Sequence, residues 1–222
     1  MPKVFIGVGH GGTDSGAIGN GFKEKDLNLS IALACNEILV NHGVTVMMSR
    51  TKDENDTITT VIQECNAFKP DIAVDIHNNA GGGDGAECFY CHSGGTGKTL
   101  AETILAEIVK TGQNSRGVKT RVNSSGKDYY AFIRETAAPA VIVECAFIDN
   151  ANDIQILNTL DKQSVMGLAI AKGILRTLGI PYVAHSTIYR VQVGAYSIKN
   201  NAIILQNKLK SQGYNAFIVE SK

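Results

Sequence analysis

The chain has 222 residues, 44% of them hydrophobic and 19% charged, which suits one mid-sized globular domain with a small appendage. Its 21 basic and 21 acidic residues cancel to a formal net charge of zero. No long-range field therefore favours nucleic acid or an anionic membrane. Since no run approaches the roughly 18 apolar residues of a membrane span, we expect neither nucleic acid as a partner nor a membrane-spanning segment.

Predicted strands and helices alternate along most of the chain. The apolar run Lys3–Val8 is typical of a buried strand, and a glycine-rich loop follows it. Further strands are predicted over 44–48, 71–76, 85–90, 117–122, 129–134 and 140–145. Helices are predicted over 24–41, 57–68, 98–111, 153–160 and 162–178. This alternation predicts an α/β fold with an open, mostly parallel twisted sheet and helices on both faces.

The sequence divides into three parts. Residues 1–179 form the predicted main domain, 180–186 a linker, and 187–222 a small C-terminal βαβ unit. That unit has strands over 187–193 and 214–219 and an amphipathic helix over 197–212. A lone unit of about 36 residues rarely buries a sufficient core. We therefore expect it to dock on the main domain or to pair with a second copy in a homodimer.

The start of the chain and its cysteines indicate the cellular compartment in which the protein is made. Residues 1–3 lead directly into a strand without the pattern of a secretory signal, so we expect synthesis in the cytoplasm. The five cysteines are an odd number, which favours reduced, buried thiols. Cys88 and Cys91 form a CxxC in a strand-like segment, where this spacing puts the thiols on opposite faces. The pattern predicts two packed cysteines rather than a metal or redox site.

Two glycine-rich motifs are similar to nucleotide sites but do not fit them. Residues 7–12 satisfy GxGxxG after a strand, but that fingerprint requires a helix beginning at the glycines. Further glycines delay the first helix to Glu24. Residues 93–99 resemble the end of a phosphate-binding loop, yet His92 occupies the position of its first glycine. The sequence therefore disfavours a nucleotide cofactor.

Two histidines follow predicted strands, with acids in matching places. His10 comes after strand 3–8 and His77 after strand 71–76, while Glu24 opens the first helix and Glu144 closes the last strand. Since ligands of such sheets bind outside the carboxyl edge, we expect these side chains to meet. Two imidazoles and one carboxylate, with a second carboxylate left over, are typical of a catalytic zinc site. On spacing alone, purely structural roles are an equal alternative.

These segments, taken together, resemble the zinc-dependent N-acetylmuramoyl-L-alanine amidases. The similarity covers about residues 3–178 and is concentrated in four motifs, at 8–29, 76–80, 85–90 and 139–150. The resemblance implies that His10, Glu24 and His77 bind one Zn²⁺ and that Glu144 is the catalytic carboxylate. It also implies the reaction: hydrolysis of the amide that joins N-acetylmuramic acid to L-alanine in peptidoglycan.

The resemblance also concerns the substrate. It suggests that Asn79 and Arg134 are substrate-binding residues, although Arg134 equally suits a structural ion pair. The sequence departs from the family at Asp75, where the family usually has serine, and at Cys145. These departures remove no ligand but leave the contacts to substrate open.

The C-terminal residues 189–196 and 202–209 resemble the first half of a sporulation-related (SPOR) peptidoglycan-binding domain. The resemblance implies wall binding, or a dimer in which two halves complete one sheet; a structural extension is the alternative. For the whole chain, the alternatives are a catalytically silent wall-binding module and a zinc peptidase or deacetylase. We expect action on the cell wall after lysis or holin-mediated release, as an autolysin or a phage endolysin.

Overall fold

A computed structural model describes residues 1–184 and 191–220, which belong to two compact units, Met1–Val183 and Ala184–Lys222. The strands of the first unit are β1 (Lys3–Val8), β2 (Ile18–Gly19), β3 (Phe22–Lys23), β4 (Thr45–Met48), β5 (Ile72–Asn79), β6 (Ala86–Tyr90), β7 (Ser115–Lys119) and β8 (Ala140–Phe147). Its helices are α1 (Glu24–Asn41), α2 (Ile58–Phe68), α3 (Thr96–Val109), α4 (Ala131–Glu135), α5 (Ala151–Ile154) and α6 (Leu160–Thr177).

The main sheet has six strands in the order β4-β1-β5-β8-β6-β7. Neighbouring strands are parallel except β6, which runs antiparallel to β8. The register pairs Glu144 of β8 with His77 of β5 on one side and with Glu87 of β6 on the other. The predicted mostly parallel sheet is confirmed. β5 continues past the predicted strand end, so His77 lies within the sheet.

The two faces of the sheet carry separate apolar clusters. Val4 and Ile6 of β1 belong to the cluster that contains residues of α1, α3 and α6, whereas Phe5 belongs to the cluster that contains residues of α2 and α4. Successive residues of a strand point to opposite faces, so a continuous apolar run fits a strand that is covered on both sides. The prediction of helices on both faces is confirmed.

Helix α1 occupies Glu24–Asn41, the bounds that its sequence predicts. Its buried apolar residues recur at helical spacing, at Leu27, Ile31, Cys35 and Leu39, and form the stripe that packs on the sheet. Glu24 and Asp26 lie in its first turn, where the helix dipole favours negative charge. The start of this helix thereby fixes the backbone of Glu24 beside the sheet.

Two predictions within the first unit are wrong. Residues 129–134, predicted as a strand, contain the start of α4, where the Arg134 amide donates to the Tyr130 carbonyl over 3.0 Å. Phe132 and Ile133 are adjacent and both buried in one cluster, which a helical turn permits and an alternating strand does not. The helix predicted over 153–160 is also shorter, since α5 ends at Ile154 and α6 begins at Leu160.

The second unit contains α7 (Lys199–Ser211), which lies within the predicted helix. The strand predicted over 214–219 is not formed, nor is 191–193, while 187–190 lie outside the described residues. A strand requires a backbone partner, and described residues 191–220 contain no paired segment. No helix of the described chain combines the length and apolarity needed to cross a membrane.

Candidate metal centre and active site

Three side chains meet at the carboxyl edge of the sheet. Glu24 Oε2 lies 3.2 Å from His10 Nε2, and Glu24 Oε1 lies 3.0 Å from His77 Nδ1. One ligand-type atom from each residue lies within 4.8 Å of the other two. We call His10, Glu24 and His77 the catalytic cluster. The structure thus brings together the residues whose spacing predicts a metal site.

The backbone makes room for this cluster. His10 has a φ of 62°, in the left-handed region that few non-glycine residues adopt. A Cβ at Gly9 would lie 2.2 Å from Cε1 of His77, and one at Gly16 would lie 2.6 Å from Glu24 Oε2. These two glycines therefore let the chain pass directly against the side chains of the cluster.

A carboxylate also contacts the outer nitrogen of each histidine. Asp14 Oδ2 lies 2.7 Å from His10 Nδ1, and Asp75 Oδ2 lies 3.4 Å from His77 Nε2. Asp14 is 65% exposed and Asp75 only 6% exposed. Such partners fix the ring orientation and leave the inner nitrogen as an acceptor, as in carboxylate–histidine–metal arrangements. Asp75, at which the sequence departs from the family, thus supports a histidine.

The electrostatics of the cluster favour a cation. Burial by itself raises the pKa of Glu24, but hydrogen bonds from His10 and His77 outweigh burial and lower it well below its ordinary value. The hydrogen bond to Glu24 raises the pKa of His10, against the opposing effect of burial. Burial lowers the pKa of His77, yet Asp75 and Glu24 raise it well above the ordinary value. A buried anion that holds two histidines stabilises positive charge at this position.

Glu144 lies beside the cluster on β8, in register with His77. Burial raises its pKa to about 7, and the charges of Glu24 and Glu87 add to this while His77 opposes it. Its Oε2 atom is buried and has no hydrogen-bond partner among the described residues. A carboxyl group that titrates near neutral pH and has an unpaired oxygen is suited to proton transfer.

Arg50 is a supporting residue that sequence reasoning missed. Its guanidinium is buried and donates to the carbonyls of Val8, Gly9 and Lys25 over 3.2, 3.2 and 2.8 Å. These bonds tie the end of β1 to the first turn of α1, and so hold the backbones of His10 and Glu24 together. The sequence shows only an arginine in a polar loop, so no local pattern reveals this role.

The two predicted substrate residues have different surroundings. Asn79 follows His77 on β5, and its Nδ2 donates to Glu87 Oε1 over 3.0 Å. Arg134 donates to the carbonyl of Tyr129 over 2.8 Å and pairs with Glu135 at 2.6 Å. Arg134 precedes the amino end of β8 and is not part of the catalytic cluster. The structure contains the ion pair that was the alternative, and the substrate roles of both residues stay predictions.

An α/β sheet with two histidines and a glutamate at its carboxyl edge, beside a buried acid, is typical of metal-dependent hydrolases. Residues 4–176 match the family described as N-acetylmuramoyl-L-alanine amidase, and residues 171–221 match the SPOR domain. The chain therefore belongs to the N-acetylmuramoyl-L-alanine amidase family. It is a peptidoglycan amidase, which confirms the predicted enzyme class and the resemblance of the tail.

Individual relatives agree with this assignment. The sporulation-specific N-acetylmuramoyl-L-alanine amidase of Bacillus subtilis (strain 168) is 34% identical over 223 residues, covering 99% of this chain and 85% of the relative. Cwp6 from Clostridium difficile superposes with a TM-score of 0.78 at 41% identity, over 80% of this chain and 29% of that chain. The catalytic domain of CwlV from Bacillus (Paenibacillus) polymyxa var. colistinus superposes with a TM-score of 0.73 at 30% identity. The match covers 82% of this chain and 100% of that chain.

Proposed function

We propose that this amidase works with Zn²⁺ bound by His10, Glu24 and His77, and that Glu144 is its catalytic acid–base. The convergence of three ligand atoms within 4.8 Å supports the metal site most directly. Two imidazole nitrogens and one carboxylate oxygen are ligands that zinc accepts, and three protein ligands leave one coordination position open. The buried, unpaired Oε2 of Glu144 next to this cluster fits a group that awaits a polar reactant.

The chain's own residues then have distinct tasks in amide hydrolysis. A bound Zn²⁺ supplies Lewis acidity, which makes water nucleophilic near neutral pH and polarises the amide carbonyl. Glu144 accepts the proton of the attacking water and donates it to the nitrogen of L-alanine as the amide bond breaks. Asp14 and Asp75 hold the two imidazoles in the orientation that faces Glu24. The products are an N-acetylmuramic acid carboxylate and a free L-alanine amino terminus.

Zinc quantification and peptidoglycan digestion test these roles. We expect His77→Ala to lose zinc from the cluster and with it the activity, because two ligands hold the ion poorly. Glu144→Gln retains zinc but loses at least about 100-fold in rate, the scale of one general acid–base group. Glu102→Gln, an exposed glutamate on α3, is the matched control and keeps both properties.

The results that contradict the proposal are specific. Full activity in Glu144→Gln would contradict the acid–base role of Glu144. Activity of the wild type without zinc would contradict the proposed role of the metal. Mass spectrometry of the digest identifies the bond, since an amidase frees L-alanine amino termini without new reducing sugars. Cleavage within the peptide stem, or loss of acetyl groups alone, would instead indicate the peptidase or deacetylase alternative.

We also propose that the C-terminal unit binds peptidoglycan and pairs two chains into a homodimer. Its match to the SPOR domain supports wall binding. Several of its apolar side chains are exposed, including Val191, Ile204, Tyr214 and Phe217, which suits a segment that is completed by a partner. Light scattering at working concentration measures the assembly; the mass of a single chain would contradict the dimer.

We further propose a role in a sporulating cell, acting on the wall after lysis of the mother cell. The support is the relative named sporulation-specific, which aligns over 99% of this chain and thus includes the tail. Deleting the gene in its own host should delay release of spores from mother cells. Unchanged release, or a defect only in phage lysis, would favour the endolysin alternative.

A further inference from the structure

A second group of ligand-type side chains lies at the opposite edge of the sheet. Because β6 runs antiparallel to β8, Glu87 lies opposite Glu144 near the catalytic cluster, and Tyr90 lies opposite Val141 near the amino end of β8. Cys91 follows Tyr90 directly, so the chain leaves β6 at the edge away from the cluster. We call Cys91, His92 and Asp128 the distal cluster.

The distal cluster is closely packed. Cys91 Sγ donates to Asp128 Oδ2 over 3.0 Å, and His92 Nδ1 lies 3.0 Å from the same oxygen. The sulfur, nitrogen and oxygen ligand atoms all lie within 4.8 Å of one another. Two ligands of a tetrahedral zinc ion are about 3.5 Å apart, so small rotations of these side chains suffice to surround a cation.

Asp128 is held in place before any cation arrives. It is buried, and its Oδ1 accepts the backbone N–H of His92 over 2.8 Å. Its backbone forms an isolated bridge with Val122, and its carbonyl accepts from Arg134 over 2.9 Å. A carboxylate fixed by backbone contacts lowers the entropic cost of assembling a site.

The site is also accessible. The side chain of His92 is 47% exposed. A cavity of about 540 Å³ lies against it and is lined by His92, Lys127, Asp128, Arg134 and Glu135. A cation can therefore enter from solvent.

We propose that Cys91, His92 and Asp128 bind a second Zn²⁺, separate from the catalytic cluster. A thiolate, an imidazole and a carboxylate are the three ligand types that zinc accepts in proteins, and sulfur selects it over Mg²⁺ and Ca²⁺. Binding displaces the thiol proton of Cys91 to solvent, because the thiolate is the ligand. The ion ties the end of β6 to a residue on the loop before α4, which makes the site a structural clamp.

Cobalt is the probe, since Co²⁺ replaces Zn²⁺ and reports sulfur ligation through a near-ultraviolet charge-transfer band. The titration uses the full chain carrying His77→Ala, which disables the catalytic cluster and leaves the distal one intact. We expect one Co²⁺ per chain with the sulfur band, and displacement by Zn²⁺. Adding Cys91→Ser abolishes the band, whereas adding Cys65→Ala, which removes a buried thiol elsewhere, preserves it.

Thiol chemistry on the unmutated protein gives an independent measurement. Cys91 is the only one of the five cysteines that is not buried, so a water-soluble disulfide reagent labels it first in the native state. Zn²⁺ should slow this labelling at least about tenfold, because the bound thiolate is blocked. An unchanged labelling rate, or a sulfur band that survives Cys91→Ser, overturns the proposal. Neither result bears on the catalytic cluster, whose failure would appear as loss of amidase activity.

Discussion

The catalytic and distal clusters use similar side chains but are built differently. The catalytic cluster draws His10, Glu24 and His77 from three separate segments, and the Glu24 side chain that joins them is 5% exposed. The distal cluster takes two adjacent residues after β6 and one from a loop, and half of His92 faces solvent. A site assembled from distant segments needs close backbone contacts, so it tolerates change poorly. A site on a surface loop is expected to be dispensable for the reaction.

The largest effect is expected at Gly9. In Gly9→Ala the new methyl group would lie within 2.5 Å of three atoms of the His77 ring, so the ring must move. A displacement of about 1 Å at a reacting centre costs about 100-fold in rate. We expect amidase activity to fall by at least that factor while the cobalt–sulfur band of the distal cluster remains.

Gly97→Ala is the matched control for this prediction. A Cβ at Gly97 would meet its nearest neighbour, the Ala140 carbonyl oxygen, at an ordinary 3.6 Å. Activity should therefore stay within about twofold of the wild type, as for substitutions without a steric conflict. Equal losses in both variants would mean that the glycine-to-alanine change acts through general stability instead of through His77.

The next largest effect is expected in zinc affinity, when either of the carboxylates that contact the two histidines is replaced. Asp75→Asn removes a buried charge beside His77, and we expect zinc affinity to fall about 10- to 100-fold. Asp14→Asn changes an exposed charge beside His10 and should cost less, because water screens it. Competition with a chromophoric chelator measures both, in a Cys91→Ser background that counts only the catalytic cluster. A larger loss at Asp14 would contradict the importance given to burial.

A smaller effect is expected in the pH dependence of stability. Burial raises the pKa of Glu144 from 4.5 to about 7, so the folded state binds this proton more tightly than the unfolded chain. The resulting stability is fully present below pH 4.5 and is lost as pH rises through 7. Glu144→Gln should therefore be more stable than wild type at pH 8, by on the order of 2–3 kcal/mol, and nearly equal at pH 4.

Denaturant unfolding in the presence of a chelator measures this difference. The chelator keeps both proteins metal-free, so only the protonation of the side chain distinguishes them. If the free energies of unfolding of Glu144→Gln and wild type differed by the same amount at pH 4 and pH 8, Glu144 would ionise at its ordinary pKa and would not be desolvated.

The smallest effect concerns the distal cluster. Cys91→Ser changes one atom at the edge of the sheet away from Glu144, so it alters none of the groups that are proposed to carry out the reaction. We expect amidase activity within about twofold of the wild type. A tenfold loss would show that the two edges of the sheet are coupled.

Long apolar patterns were sufficient to predict most of the fold. Helix α1 has the predicted bounds because its stripe runs from Leu27 to Leu39 and its first turn is acidic. Residues 129–134 are too few to distinguish a period of 2 from one of 3.6, and the helix there was missed. The direction of β6 also escapes local patterns, since strand order depends on contacts far apart in the chain.

In the candidate site, too, some features could be predicted from the sequence and others could not. His10 and His77 follow predicted strands, and that predicted placement indicates that they meet at one edge of the sheet. The contacts of Arg50 with three backbone carbonyls carry no sequence signature. Cys88 and Cys91 were predicted to be packed cysteines because strand spacing puts their thiols on opposite faces. Asp128 lies 37 positions after Cys91, so only the folded chain shows the two in contact.

The left-handed backbone of His10 also limits which residues could replace this proposed metal ligand. At a φ of 62°, asparagine and aspartate are the replacements expected to fit with the least strain, since both visit this region more readily than most side chains. Cysteine or glutamate there would have to distort the turn. A redesign toward softer or harder metals is thus better begun at position 77, where the strand backbone is extended and restricts the choice of residue less.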